Sequence, residues 1–205
     1  MTSAPRIPRN PAELPASSAQ TKSELRRSLL AERRAIPAEE RALWDRQLCA
    51  NIVKWWQTCK ADALGVYWPL RDEPDLNAAY AELARLGVRL LLPVVVQRDA
   101  PLEFAAWEIG EAMVKDGMGV AVPAHLRIEP YPPALLVPCL GYNSGGFRLG
   151  YGGGFYDRTL EKEPRPATVG VAYSCLEVEF GVDNHDVALD VVITETEGPG
   201  QTRRV

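Results

Sequence analysis

The chain has 205 residues, 46% of them hydrophobic and 24% charged, with a formal net charge of −4. That length supports one good-sized domain with a real core, and the composition is ordinary for a globular protein. The negative balance argues against a general binder of nucleic acid or of membrane surfaces, and no apolar run is long enough to span a bilayer.

The first twenty residues, MTSAPRIPRNPAELPASSAQ, are rich in Pro, Ser and Ala. They lack the continuous apolar core of a secretion signal and are expected to form a disordered tail, so that residues 21–205 are one cytoplasmic domain. TKSELRRSLLAERRAI is predicted to be a helix. Thr21 and Glu24 fit a capping box at its start, and Pro37 limits its end. Leu25, Leu29 and Ile36 lie on one face, with Lys22, Arg26 and Arg33 on a neighbouring one. A second helix is predicted from about Ala38, with Trp44, Leu48, Ile52 and Trp55 as its apolar stripe.

ALGVYW, residues 63–68, reads as a short buried strand. DLNAAYAELARLG returns to helix, with Asp75 as the expected N-cap and Gly87 just past the end. VRLLLPVVV is a continuous apolar run, suited to a strand covered on both faces. PLEFAAWEI and ALLVP, residues 134–138, are further strands; FYDRTLEK is helical, and ATVGVAY and DVVITE complete the set. Strand and helix in alternation imply an α/β fold with a mostly parallel sheet, whose ligands bind at the carboxyl ends of its strands.

Four cysteines, Cys49, Cys59, Cys139 and Cys175, are widely spaced, with no Cys-x-x-Cys pair, and neither His125 nor His185 has a zinc-finger spacing. Buried reduced thiols are expected.

The stretch RLGYGGGFYDR, residues 148–158, follows ALLVP and leads into a predicted helix. Bare glycines let backbone N–H groups converge on anionic oxygens. Two familiar phosphate patterns fail here. Gly141 and Gly146 have the Walker spacing, but Phe147 stands where lysine is needed; Gly145 and Gly150 have it too, with Tyr151 in that place. Gly150, Gly152 and Gly154 are each two apart, which does not match the dinucleotide fingerprint. The loop is either a tight turn on the sheet or a different ligand loop. Arg148 and Asp157 favour the second, because they suit an anion and a divalent cation.

Lys22 and Arg26, four apart, point the same way and form either a solvated basic face or half of an anion site. Trp68 and Glu73 in YWPLRDEPDL suit a flat heterocycle with N–H donors, such as a pterin or a purine; the alternative is a core tryptophan beside a turn. NHDVALD holds His185, Asp186 and Asp190, and Asp186 could join Asp157 around magnesium or belong to an ordinary loop. No nucleophile–histidine–acid triad can be argued, since the spacing of Ser174 and Cys175 from His185 says nothing of geometry.

Taken together, KSELR at 22–26, YWPLRDEPDL, LLLPVV with LEFAAW, LLVPCLGYNSGGFRLGYGGGFYDRTL and GVAYSCLEVEFGVDNHDVALDVVITE resemble one family, the 5-formyltetrahydrofolate cyclo-ligases, over about residues 21–195. The long glycine-rich motif is the specific one. The resemblance implies a three-layer α/β/α sandwich and an ATP- and magnesium-dependent ring closure of 5-formyltetrahydrofolate to 5,10-methenyltetrahydrofolate, with ADP and phosphate as the other products. It implies ATP contacts from Lys22, Ser23, Glu24, Leu25 and Arg26 and from Arg148, Leu149, Gly150, Tyr151, Gly152, Gly153, Gly154, Phe155 and Tyr156. It implies substrate contacts from Arg26, Trp68, Glu73 and the loop Tyr151 to Phe155, and magnesium ligation by Asp157 and Asp186. Lys22 and Arg148 are the expected stabilisers of charge on the transferring phosphoryl group. The implied partners are small molecules, with no nucleic acid or membrane, and a monomer is expected. One departure is that a glutamine often found after the GVAY strand is here Leu176 or its neighbour Cys175. Two other readings compete: a nucleotide- or folate-binding module without catalysis, and a sugar-phosphate isomerase on a similar sandwich.

Overall fold

The computed structural model describes residues 21–70 and 72–196, so the expected tail at 1–20 lies outside it. In chain order the elements are α1 (Lys22–Ala35), α2 (Ala38–Cys59), β1 (Ala63–Gly65), α3 (Asn77–Arg85), β2 (Arg89–Val94), β3 (Glu103–Trp107), β4 (Met113–Lys115), β5 (Ala121–Pro123), β6 (Ile128–Glu129), β7 (Ala134–Pro138), β8 (Gly141–Tyr142), β9 (Arg148–Leu149), α4 (Phe155–Leu160), β10 (Ala167–Val171) and β11 (Val191–Ile193).

Helix α1 starts as its sequence dictates. The Thr21 Oγ1 accepts from the Glu24 N–H at 3.3 Å, and the Glu24 carboxylate accepts from the Thr21 N–H at 2.9 Å. Leu25, Leu29 and Ile36 are buried as expected, but so is Arg33. Arg33 lies four residues beyond Leu29 and runs on in the same stripe, rather than on an open basic face. Helix α2 buries Leu48, Ile52 and Trp55, while Trp44 is partly covered and packs on Tyr173 with centroids 5.4 Å apart. Helix α3 starts at Asn77, and the expected cap differs. Asp75 accepts from the Asn77 N–H at 3.0 Å in an Asx turn, one residue before the capping position at Leu76. Gly87 has φ +86° just past the helix, as its position predicted.

The main sheet has seven strands in the order β11-β10-β7-β1-β2-β3-β6. From β11 to β2 the pairs are parallel, and β3 and β6 add antiparallel. The α/β class with a mostly parallel sheet is therefore observed, with one antiparallel edge. Strand alternation divides the core. Leu64, Leu90, Leu92, Leu136 and Val169 join the side chains of α1, α2 and α3 on one face. Ala63, Leu91, Leu135 and Val137 face the other side with Leu102, Leu160 and Leu189. The two outer layers are unequal: three longer helices cover the first face, whereas the second has the six-residue α4 and loops. At Gly65 a Cβ would come within 2.2 Å of the Leu135 side chain, so the bare glycine leaves that side chain room to pack across β1.

Of the cysteines, Cys49 and Cys139 are buried and Cys59 and Cys175 exposed, and all four are free. Burial was thus half of what was expected, because Cys59 ends α2 and Cys175 lies on a surface turn.

Candidate active site

A cavity of about 610 Å³ opens at the carboxyl ends of β1, β2 and β7, where Trp68, Pro93 and Pro138 line it. Its wall gathers Lys22, Arg26, Trp68, Glu73, Asp157, Asp186 and every residue from Arg148 to Tyr156. Residues scattered over more than 160 sequence positions thus meet in one place. Three candidates do not line it. Leu25 is in the core, Glu24 is spent on the capping box, and Ser23 is exposed on α1. A helix brings only residues three or four apart to one side, so Lys22 and Arg26 reach the cavity and the residues between them do not.

The glycine loop is held from several sides. The Arg26 Nε donates to the Gly150 carbonyl at 2.8 Å. A Cβ at Gly152, whose φ is +93°, would lie 3.5 Å from the Arg26 guanidinium carbon, so the bare glycine both supplies the turn and lets Arg26 pass close. The Arg158 Nη2 donates to the Gly153 carbonyl at 2.8 Å, and Gly154, with φ +66°, leads into α4.

Two further cationic side chains line the cavity. Arg148, on β9, is buried; its Nη2 donates to the Asp157 carboxylate at 2.7 Å and its Nη1 to the Val187 carbonyl at 3.3 Å. The Lys22 Nζ donates to Asp183 at 2.7 Å and to Asp186 at 2.6 Å. Burial alone would lower the Lys22 pKa, but the bonds to the two carboxylates outweigh it and hold the ammonium above its ordinary value. For Asp186, burial works upward and is outweighed by the Asp183 N–H and by Lys22, which hold its carboxyl below the usual range.

The ligand atoms of Asp183, His185 and Asp186 lie within 4.8 Å of one another. Asp157 is outside that cluster and paired with Arg148, although it lines the same cavity. The carboxylate oxygens suit magnesium, which keeps waters and takes few carboxylates, and the His185 nitrogen suits it less.

Farther along, the chemistry changes. Glu73 is buried; its Oε2 accepts from the Leu70 N–H at 2.8 Å, and its Oε1 accepts from the Tyr151 hydroxyl at 2.5 Å. The Arg33 Nη2 donates to that hydroxyl at 2.8 Å. Burial raises the Tyr151 pKa, with Glu73 adding to the effect, and the phenol stays neutral. Trp68 meets Trp107 edge to face at 5.7 Å, and Trp107 meets Tyr80 at 5.8 Å. Among the described residues no cysteine lines the cavity, and burial pushes the Cys139 thiol up to about 12.

Several lining residues were not singled out from sequence: Asp183, and Asp116, Met118 and Val120 from the β4–β5 hairpin. The hairpin carries a usable signal. In KDGMGV the Asp116 carboxylate accepts from the N–H groups of Met118 and Val120, a turn that Asp-Gly marks. Leu176, in place of the glutamine, is wholly buried core, and Cys175 is exposed.

The sequence profile of the 5-formyltetrahydrofolate cyclo-ligase family matches residues 18–195. A 5-formyltetrahydrofolate cyclo-ligase of Mycolicibacterium smegmatis is 32% identical over 194 residues, covering 88% of this chain and 97% of that protein. The one from Escherichia coli K12 is 29% identical over 171 residues, covering 79% and 93%. Among solved structures, the 5,10-methenyltetrahydrofolate synthetase of Aquifex aeolicus superposes with a TM-score of 0.75 at 27% identity, covering 89% of this chain and 92% of that one. The Mycoplasma pneumoniae synthetase gives 0.69 at 25%, covering 86% and 99%. With its mostly parallel sheet, its glycine loop at the strand ends and these relatives along nearly its whole described length, the chain belongs to the 5-formyltetrahydrofolate cyclo-ligase family of enzymes.

Proposed function

We propose that the enzyme, with magnesium bound, converts 5-formyltetrahydrofolate and ATP to 5,10-methenyltetrahydrofolate, ADP and phosphate. One observation carries this reading: a single cavity joins the cations Lys22 and Arg148 to the aromatic pocket of Trp68, Glu73 and Tyr151 across one glycine loop.

The reaction needs such a junction. The formyl oxygen is a poor leaving group. It attacks the γ-phosphorus of ATP and ADP leaves, which turns the amide into an imidate-like phosphate. Nitrogen 10 then adds to the formyl carbon and gives up its proton, and the C–O bond breaks to release phosphate carrying the formyl oxygen. The cationic methenyl bridge remains. Catalysis of this kind rests on positioning and charge stabilisation, in keeping with a cavity that lacks an activated nucleophile.

Lys22 and Arg148 stabilise charge on the transferring group, exchanging their carboxylate partners for phosphate oxygens. Arg26, with residues Arg148 to Tyr156, lines the ATP end. Glu73 accepts from the N–H donors of the pterin, while Trp68 and the loop Tyr151 to Phe155 frame the ring. Magnesium would be held by Asp157 and Asp186, with Asp183 and His185 close to the second, and when bound it neutralises charge on phosphate oxygens.

The purified protein, given 5-formyltetrahydrofolate, ATP and magnesium, is expected to produce the near-ultraviolet absorbance of the methenyl product and one ADP per turnover. Absorbance that does not rise, or that rises without ATP, would rule the reading out.

A further inference from the structure

Arg33 differs from the other arginines near the cavity. It is 1% exposed, and among the described residues nothing accepts from its Nε or Nη1. Among the described residues its guanidinium makes one hydrogen bond, to the Tyr151 hydroxyl at 2.8 Å, and it also lies 5.8 Å from the centroid of that ring. Burying a cation with orphaned N–H groups is costly, and an apolar side chain of similar volume is often as stable or more so. Stability therefore does not explain an arginine at this point in the α1 stripe.

Geometry does. A guanidinium can only donate. The Tyr151 oxygen must accept from Arg33, so the phenolic proton is directed to the Glu73 Oε1, 2.5 Å away. The other Glu73 oxygen is fixed by the Leu70 N–H. A buried cation and a buried carboxylate are thus bridged by one neutral phenol, and that phenol belongs to the glycine loop. Gly150 and Gly152 flank Tyr151 and leave its backbone free to turn; the other arginines grip the loop at Gly150 and Gly153 instead.

We propose that Arg33 is a positioning residue for folate recognition: through Tyr151 it pins the glycine loop to Glu73 and holds that carboxylate in one orientation for the pterin. The proposal rests on the reading of Glu73 as the pterin acceptor.

Arg33→Met tests it. The variant is expected to melt at or above the wild-type temperature. Deuterium exchange at residues 150–154 rises about tenfold, the scale of one lost hydrogen bond. The KM for 5-formyltetrahydrofolate rises about tenfold, while that for ATP stays within about twofold. Tyr151→Phe gives the same exchange and KM changes, the double variant is no worse than either single one, and Arg33→Lys recovers part of the loss. A folded Arg33→Met with wild-type loop exchange overturns the proposal. So does one that fails to fold, or equal rises in both KM values, since either makes Arg33 a general structural residue. Exchange is read without substrate. A wild-type protein that failed to cyclise the folate would bring down the substrate assignment, and the exchange would still decide the pinning.

Discussion

At the Lys22 end of the cavity charge sits in ion pairs open to water, whereas at the Glu73 end the charged groups are buried beneath Tyr151, whose ring is itself half exposed. The Lys22 side chain is 25% exposed and its partner Asp183 58%; Glu73 is 7% exposed and Arg33 1%. Exposed pairs contribute little to stability and exchange partners readily, so a triphosphate can replace carboxylates there at small cost. Where charged groups are buried each unpaired polar group is expensive, so under the proposed reading that end would discriminate between ligands. Arg148 joins the two, buried like Glu73 but paired with Asp157, which borders the open end.

Substitutions should separate the ends. The largest effect is expected from Arg148→Met, which removes the donor at the junction: kcat/KM should fall by about 10²- to 10³-fold. Steady-state kinetics will show it, and Arg148→Lys should restore only part, because an ammonium cannot reproduce the fork that reaches both Asp157 and Val187. Next comes Glu73→Gln, which should raise the KM for 5-formyltetrahydrofolate roughly 10- to 100-fold and leave that for ATP unchanged. Lys22→Ala should do the reverse, raising the KM for ATP about tenfold, with a melting temperature within about 2 °C of wild type.

The smallest effect concerns pH. The depressed Asp186 carboxyl contributes stability that is present above its ordinary unfolded value and is lost as pH falls through the folded one. The raised Lys22 ammonium contributes stability present below its ordinary unfolded value, lost as pH rises through the folded one. Together these amount to less than about 1 kcal/mol at this exposure. Melting curves of wild type and Asp186→Asn should converge below the ordinary aspartate range, and a constant gap there would remove Asp186 from the linkage.

The two ends were also unequally legible in sequence. The capping box, the run ALLVP and the glycines fixed α1, β7 and the loop, because each carries its own local signal. Local patterns do not record strand direction, so β3 read as a strand but not as an antiparallel one. They record burial poorly when a charged residue continues an apolar stripe, which is why Arg33 was placed on a basic face. Asp183 had no signal of its own, and its approach to Lys22 depends on a fold that closes 161 residues of separation.

Both ends must act on one atom if the chemistry is as proposed, because the phosphoryl group held by Lys22 and Arg148 has to reach the formyl group placed by Glu73. The most direct test is to label the formyl oxygen of 5-formyltetrahydrofolate with oxygen-18 and analyse the phosphate released by the wild-type enzyme. Phosphate carrying one labelled oxygen is the predicted result; unlabelled phosphate, with the label in water, would contradict it.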